Sequence, residues 1–310
     1  MTYKTLSKLA AKGIPYLFYT DFSGKDIHCY RLDELQNEDI EFSLENNFSK
    51  HDKTVIKHPV KFKEYKKKFN QVIEYIKSGD TYLLNLTQPT PIESALSLKE
   101  IFKYANAPFK LRVKDQFVCF SPERFVRIEG NRITTYPMKG TIDASIPDAK
   151  TIILANEKEM AEHIMVVDLL RNDLGIVAKN IKVENFRYIK KIEAGEKSLL
   201  QVSSKISGTL EENWHKNIGE IIKKLLPAGS ISGTPKKRTV EIIQEIEGYE
   251  RGYFCGVFGI FDGSIFDSAV MIRFIENKDG QTIYKSGGGV TLQSNVQDEY
   301  HELIDKIYIP

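Results

Sequence analysis

Tyr253-Phe254-Cys255-Gly256-Val257-Phe258-Gly259-Ile260-Phe261, then Asp262-Gly263-Ser264, then Ile265-Phe266-Asp267-Ser268-Ala269-Val270-Met271-Ile272-Arg273-Phe274-Ile275-Glu276, is the stretch that decides the fold. Two long runs rich in aromatic and β-branched residues meet at an Asp-Gly pair, the strongest short-range hairpin signal. Lys278-Asp279-Gly280 predicts a second turn before a strand at Thr282 to Lys285. Working back along the chain, Phe117 to Phe120 and Arg124 to Ile128 read as strands, with Glu129-Gly130-Asn131 turning into Arg132 to Tyr136. Ile181 to Ile189 and Leu199 to Ile206 add two more, and Thr81 to Thr87 another, closed by Pro89 and Pro91.

Helices lie between these strands. Phe62, Tyr65, Phe69, Val72, Ile73 and Ile76 recur at the helical period and Gly79 follows as a stop. Ser97 caps a short helix to Tyr104. Asn156, with Glu159 three residues on, opens a long helix whose apolar side is Met160, Ile164, Val167 and Leu170. Asn213 caps a helix ending at Leu226-Pro227, and Thr234-Pro235 supplies a cap and first-turn proline for another reaching Gly248. Val296 to Tyr308 is the last. Residues 1–60 are weakly patterned, with an apolar piece at Ile14 to Tyr19 and a polar stretch from Asp33 to Asp52. Long hairpins with separated helices define an α+β class, and the absence of a low-complexity linker favours one domain over 1–310.

Composition narrows the function. The chain has 310 residues and a formal net charge of only +2. Its one dense basic run, Lys61 to Lys68, is interrupted by Phe62 and Tyr65 at helical spacing, which reads as a solvated helix face rather than a nucleic-acid patch. No apolar run approaches a membrane span, and Ile14 to Tyr19 is too short for a signal peptide. Cys29, Cys119 and Cys255 are odd in number and widely spaced, which points to a reducing cytoplasm without disulfides.

Three features could carry chemistry. Glu159 and Glu162 share one helical face, as do Glu299 and Glu302 on another helix. Each pair alone reads as a solvated face, but if the two helices met, a hard cation such as Mg²⁺ would be needed between the carboxylates. Gly287-Gly288-Gly289, between a strand and a helix, reads as a flexible connection or as a turn whose amides could bind an anion. Lys139 in Pro137-Met138-Lys139-Gly140-Thr141 is a loop lysine, and acts as a nucleophile only as the free amine.

These pieces occur in the order found in the chorismate-utilising enzymes. The resemblance runs from about Lys61 to the C-terminus and is faint over 1–60, which looks abbreviated. It is carried by Gly79 to Leu86, Ser121-Pro122-Glu123-Arg124-Phe125, the Lys139 pentapeptide and Ala161 to Asp173. Further along it rests on Pro227 to Lys236, Cys255-Gly256 with Gly259, Ile272-Arg273, the triple glycine and Glu299-Tyr300-His301-Glu302.

The resemblance implies two packed antiparallel β-sheets with helices outside, enclosing a site for chorismate and Mg²⁺. Glu162 and Glu302 would be the direct metal ligands, assisted by Glu159 and Glu299. Arg273 and the amides of Gly288 and Gly289 would grip carboxylates, with Lys306, Ser232 and Thr141 also contacting substrate. Glu123 would be the acid at the departing hydroxyl.

Within the family, Lys139 resembles the nucleophile of the aminodeoxychorismate synthases (component I, the para-aminobenzoate branch of folate synthesis), where anthranilate synthases have alanine. Ammonia would come from a separate glutamine amidotransferase subunit. Leu83 stands where isochorismate and salicylate synthases carry a general-base lysine, and Gln201 near where anthranilate synthases carry histidine. Ile260 replaces the usual tyrosine beside Gly259. The competing readings are an anthranilate synthase component I and a non-catalytic chorismate-binding protein.

Overall fold

Two antiparallel sheets account for the strands, and each belongs to one of two compact units. The structure, a computed structural model, describes residues 1–45, 54–194 and 197–310. The last part of the polar Asp33 to Asp52 stretch therefore lies outside the described residues.

The first unit comprises Met1–Glu34, Glu123–Ser230 and Gly256–Val270. Its nine-stranded sheet runs in the order Met138–Asp143, Lys197–Thr209, Arg132–Thr135, Arg124–Glu129, Phe266–Val270, Val257–Phe261, Tyr16–Thr20 and Ile27–Arg31. Lys179–Ala194 joins it by pairing with Lys197–Thr209. A helix not evident from the sequence, Tyr3–Ala10, lies against the Ile218–Leu225 helix. Their contact needs Gly219, since a Cβ there would fall 1.9 Å from the Tyr3 carbonyl oxygen.

The second unit comprises Leu35–Pro122, Ile231–Cys255 and Met271–Pro310. Its eight-stranded sheet runs Gly233–Thr234, Leu83–Glu93, Gln281–Val290, Phe274–Lys278, Phe117–Ser121, Phe109–Val113 and Ile40–Ser43, and Ile56–Lys57 pairs with Leu83–Glu93. Helix Phe62–Lys77 buries Tyr65, Phe69, Val72 and Ile76, and the Leu98–Tyr104 helix has a full capping box between Ser97 and Glu100. The lysines of the first helix are largely solvated, but Lys68 donates to Gln88 Oε1 (3.2 Å) and the Glu247 carbonyl (2.6 Å). Residues 1–60 form no unit of their own, because the boundary falls at Glu34.

Several local expectations change. The run Ile265 to Glu276 is two strands, one in each sheet, and the chain passes between units at Val270–Met271. The unit boundary also falls within Tyr253 to Phe261, of which only Val257–Phe261 is strand, and between the strands Phe117–Ser121 and Arg124–Glu129. The Leu83–Glu93 strand continues through Pro89 and Pro91. These prolines have the same parity, so both missing N–H groups fall on one edge of the strand.

The triple glycine is strand, not turn: Gly287, Gly288 and Gly289 pair with Thr87, Leu86 and Asn85. A Cβ on Gly287 would stand 2.3 Å from the Leu86 carbonyl oxygen, so close approach of two strands is what demands glycine there. Helix caps shift as well. Asn213 precedes a 3-10 turn, Asn217 precedes the Ile218–Leu225 helix, and Pro235 occupies the cap position of Lys236–Glu247.

Candidate functional site

In the first unit, Lys139 sits at a β-bulge. Met138 pairs with Ser203 and Thr141 with Gln201, so three steps on one strand match two on its partner. Gly140 supplies the left-handed conformation, φ +85°, that this irregularity uses. A bulge re-aims the side chain beside it, and Lys139 Nζ comes 3.4 Å from Glu162 Oε2.

Glu162 is carried by the long helix, Glu157–Gly175, whose first turn is tied down by Asn156 Oδ1 accepting from the Glu159 amide at 3.0 Å. The buried side of this helix is Glu162, His163, Val166, Val167 and Leu170, whereas Ile164 is 49% exposed and Met160 half-buried. The apolar stripe expected through Met160 and Ile164 is thus rotated, and a polar pair takes part of the inner face. Glu159, one turn back, reaches the other residue of the bulge: its Oε2 would lie 3.4 Å from a Cβ on Gly140. Both carboxylates of the pair meet the Lys139–Gly140 bulge.

Glu123 accepts a hydrogen bond from Ser230 Oγ, and its backbone carbonyl accepts from the Val270 amide at 3.1 Å. Thr141 is exposed and faces Gln201 in the ladder. His163 is fully buried with Nε2 2.7 Å from Ser204 Oγ. Burial first, then the charges of Arg187 and Lys139, pushes its imidazole down to about 4.

In the second unit, helix Val296–Asp305 is capped by Asn295, whose Oδ1 accepts from the Gln297 (2.8 Å) and Asp298 (3.3 Å) amides. Glu299 is buried and accepts from Ser294 Oγ at 2.8 Å. Glu302 forms an ion pair with Lys306, whose Nζ also donates to the Gly287 carbonyl at 2.8 Å. All three converge on Gly288: a Cβ there would lie 3.1 Å from Glu299 Oε2, 3.3 Å from Glu302 Oε1 and 3.6 Å from Lys306 Nζ. The Tyr65 hydroxyl is pushed well up, first by burial and then by the Glu299 and Glu302 carboxylates.

Among the described residues, the Gln281–Val290 strand beyond Lys285 pairs only with Leu83–Glu93. Successive amides alternate in direction along a strand, so one of Gly288 and Gly289 directs its N–H to the side without a paired strand. Arg273 has a left-handed backbone (φ +52°) and its guanidinium lies over the Tyr308 ring at 5.4 Å. Ser232 is fully buried, with its carbonyl accepting from the Asn85 amide at 3.0 Å. Leu83 is buried in the ladder opposite Thr234. Ile260, in the first unit, is likewise buried, opposite Leu17 and Asp267.

Among the described residues, no group of three or more His, Cys, Asp or Glu side chains is gathered that could hold a metal ion. Mg²⁺ commonly takes only one or two protein carboxylates, leaving its other positions to water and substrate. The converging Glu299 and Glu302 oxygens fit such a donor set, as do Glu159 and Glu162 around the bulge. A cavity of about 580 Å³ in the second unit, lined by Phe42, Lys99, Phe102, Lys103, Tyr104 and Lys110, contains none of the expected residues.

Sequence reasoning assigned no role to Ser230, Ser294, Ser203, Ser204 or Tyr65. Ser230 lies inside a quoted motif, Pro227 to Lys236. Tyr65 enters only as part of the apolar stripe of its helix, and Ser203, Ser204 and Ser294 have no periodic or spacing signature that would single them out.

The chain belongs to the chorismate binding enzyme family, whose profile matches residues 16–309. It is 55% identical over 254 residues to an uncharacterized PabA-like protein of Haemophilus influenzae, covering 82% of this chain and 77% of that one. It is 35% identical over 260 residues to aminodeoxychorismate synthase component 1 of Salmonella typhimurium, covering 79% of this chain and 56% of that protein. In fold it matches MenF, the menaquinone-specific isochorismate synthase of Escherichia coli, with a TM-score of 0.73 at 14% identity, over 96% of this chain and 78% of the other. The α+β fold with two antiparallel sheets is therefore that of the chorismate-utilising enzymes, and this protein is one of them. Among the described residues no helix is long and apolar enough to cross a membrane.

Proposed function

We propose that this chain is component I of an aminodeoxychorismate synthase, converting chorismate and ammonia to 4-amino-4-deoxychorismate and water. The observation that carries the reading is Lys139 at a bulge in the first unit, its amine 3.4 Å from Glu162. Lys139 is 24% exposed and held on a strand, so its amine can be presented to a bound substrate in a fixed direction.

The free amine of Lys139 attacks ring carbon 2 of chorismate. The ring double bond shifts, and the 4-hydroxyl departs as water with a proton from Glu123, which Ser230 orients. Ammonia then adds at carbon 4, the double bond shifts back, Lys139 leaves as the free amine, and the new ammonium returns a proton to the Glu123 carboxylate. The new amine thus occupies the carbon that lost the hydroxyl. Gln201, in the strand beside Thr141, has no acidic proton to support elimination of the enolpyruvyl side chain, which favours a non-aromatic product over anthranilate.

Mg²⁺ is proposed as the metal, with Glu159, Glu162, Glu299 and Glu302 as its candidate carboxylates; when bound it would neutralise substrate carboxylate charge. Arg273, Lys306, Ser232, Thr141 and the Gly288 and Gly289 amides are proposed substrate contacts. A glutamine amidotransferase subunit is the proposed ammonia donor, and para-aminobenzoate for folate synthesis the eventual product. Three free, buried cysteines support a reducing, cytoplasmic setting.

The test is to supply chorismate, Mg²⁺ and ammonium and identify the product with and without added aminodeoxychorismate lyase. A product that yields para-aminobenzoate only with the lyase is expected. Anthranilate formed without it would overturn the reading, and binding of chorismate without turnover would favour a binding protein.

A further inference from the structure

We infer that the Ser203–Ser204 dipeptide sets the spacing of Lys139 and Glu162, making Ser204 a positioning residue; its catalytic meaning rests on the amination proposed above. The dipeptide lies in the middle of the Lys197–Thr209 strand, and both serines are buried. It grips the chain on both sides of the pair. The Pro137 carbonyl, two residues before Lys139, accepts from Ser203 Oγ at 3.1 Å and from the Ser204 amide at 3.0 Å. Ser204 Oγ is 2.7 Å from Nε2 of His163, the residue after Glu162.

A third tether fixes the start of the helix that carries Glu162. The Arg187 amide donates to Ser204 Oγ at 2.9 Å, and the Arg187 guanidinium donates to the carbonyls of Leu154 (2.8 Å) and Ile153 (3.1 Å). Those carbonyls end the helix Ala149–Ala155, immediately before the Asn156 cap. The Ser204 hydroxyl therefore joins the body of the helix bearing the carboxylate to the Arg187 segment that holds that helix's entry, while the Ser203 hydroxyl and the Ser204 amide hold the start of the nucleophile's strand to the same dipeptide. Without the Ser204 hydroxyl the bonds to Pro137 remain, but the Glu162 helix loses its polar bond to the strand that makes them.

Zero-length carbodiimide coupling tests this without turnover, because it joins an amine to a carboxylate only when the two are in contact. Peptide mass spectrometry of the full chain should find a Lys139–Glu162 amide. Ser204→Ala should lower its yield at least threefold, and Ser204→Thr, which keeps the hydroxyl, should restore it. In ammonia-dependent turnover Ser204→Ala should lower kcat about tenfold with the KM for chorismate within twofold, again restored by threonine. If Ser204→Ala fails to fold, Ser203→Ala, which removes one of the two bonds to Pro137, should lower the coupling yield instead. Equal yields in the wild type and the alanine variant, or no coupling in the wild type, would overturn the inference. Absence of amination by the wild type would instead sink the proposed function and leave the coupling result standing.

Discussion

Gly288 and Glu299 are so close that a methyl group on the glycine would stand 3.1 Å from the carboxylate oxygen, with Glu302 at 3.3 Å. Gly288→Ala should therefore push both carboxylates aside and weaken Mg²⁺ and chorismate binding at least tenfold, while the fold survives. Gly287→Ala is expected to behave differently, because its Cβ meets backbone, 2.3 Å from the Leu86 oxygen. It should cost roughly 1–3 kcal/mol of stability through overpacking. Titration calorimetry with Mg²⁺ and urea unfolding of the two variants would separate the effects.

Lys139→Ala should remove the covalent route and lower aminodeoxychorismate formation by roughly 10³-fold or more, as loss of a nucleophile does elsewhere. A slow residual addition of ammonia directly at carbon 2 would appear as anthranilate-type product. Chromatographic product analysis decides it; undiminished aminodeoxychorismate from this variant would refute the assignment.

Glu123→Gln keeps the size of the side chain and its contact with Ser230 but offers no carboxyl proton. The expected loss in kcat is roughly 10²–10⁴-fold, with little change in KM. An unchanged kcat would remove Glu123 from the reaction.

In the second unit, Arg251 and Glu247 form an ion pair with side chains only 2% and 1% exposed. Glu247 also accepts from the Thr87 amide (2.8 Å) and hydroxyl (2.7 Å), and Arg251 donates to the Ile231 (3.0 Å) and Asn85 (2.6 Å) carbonyls. Burial alone would lower the guanidinium's proton affinity, but Glu247 outweighs it and holds the group charged. Arg251→Met leaves a buried carboxylate unpaired and should cost roughly 3–5 kcal/mol. The double variant with Glu247→Leu should recover much of that loss in urea unfolding.

Burial pushes the Cys29 thiol up from 9 to about 12, and Cys119 is raised further for the same reason. A thiol that keeps its proton in the folded state but not in the unfolded chain stabilises the fold fully below pH 9. That contribution is lost as pH rises from 9 towards 12. Cys29→Ala should therefore flatten the alkaline fall in stability. A thiol-reactive dye at pH 8 should modify neither Cys29 nor Cys119 rapidly until the protein is unfolded.

Much of the site was legible in local pattern. The Asn156 cap and the spacing of Glu159 and Glu162 predict one helical face, and the structure puts both on the Lys139–Gly140 bulge. The same holds for Glu299 and Glu302, which share a face over Gly288. Illegible were the serines that hold these groups. A serine's hydrogen bonds are set by whichever strand or helix lies beside it, and Ser204 acquires its partners from residues 41 and 17 positions away.

Taken alone, the sequence determined the strand and helix runs, the α+β class and the order of the chorismate-enzyme motifs, because periodicity, turn chemistry and capping act over a few residues. Only the tertiary structure decided that Ile265 to Glu276 is divided between two sheets and that the triple glycine is a paired strand. It alone placed Lys139 at a bulge. An apolar run looks the same whichever sheet buries it, and glycine is demanded as readily by a close-packed neighbour as by a turn. Those choices belong to the partners, and the partners are distant in the chain.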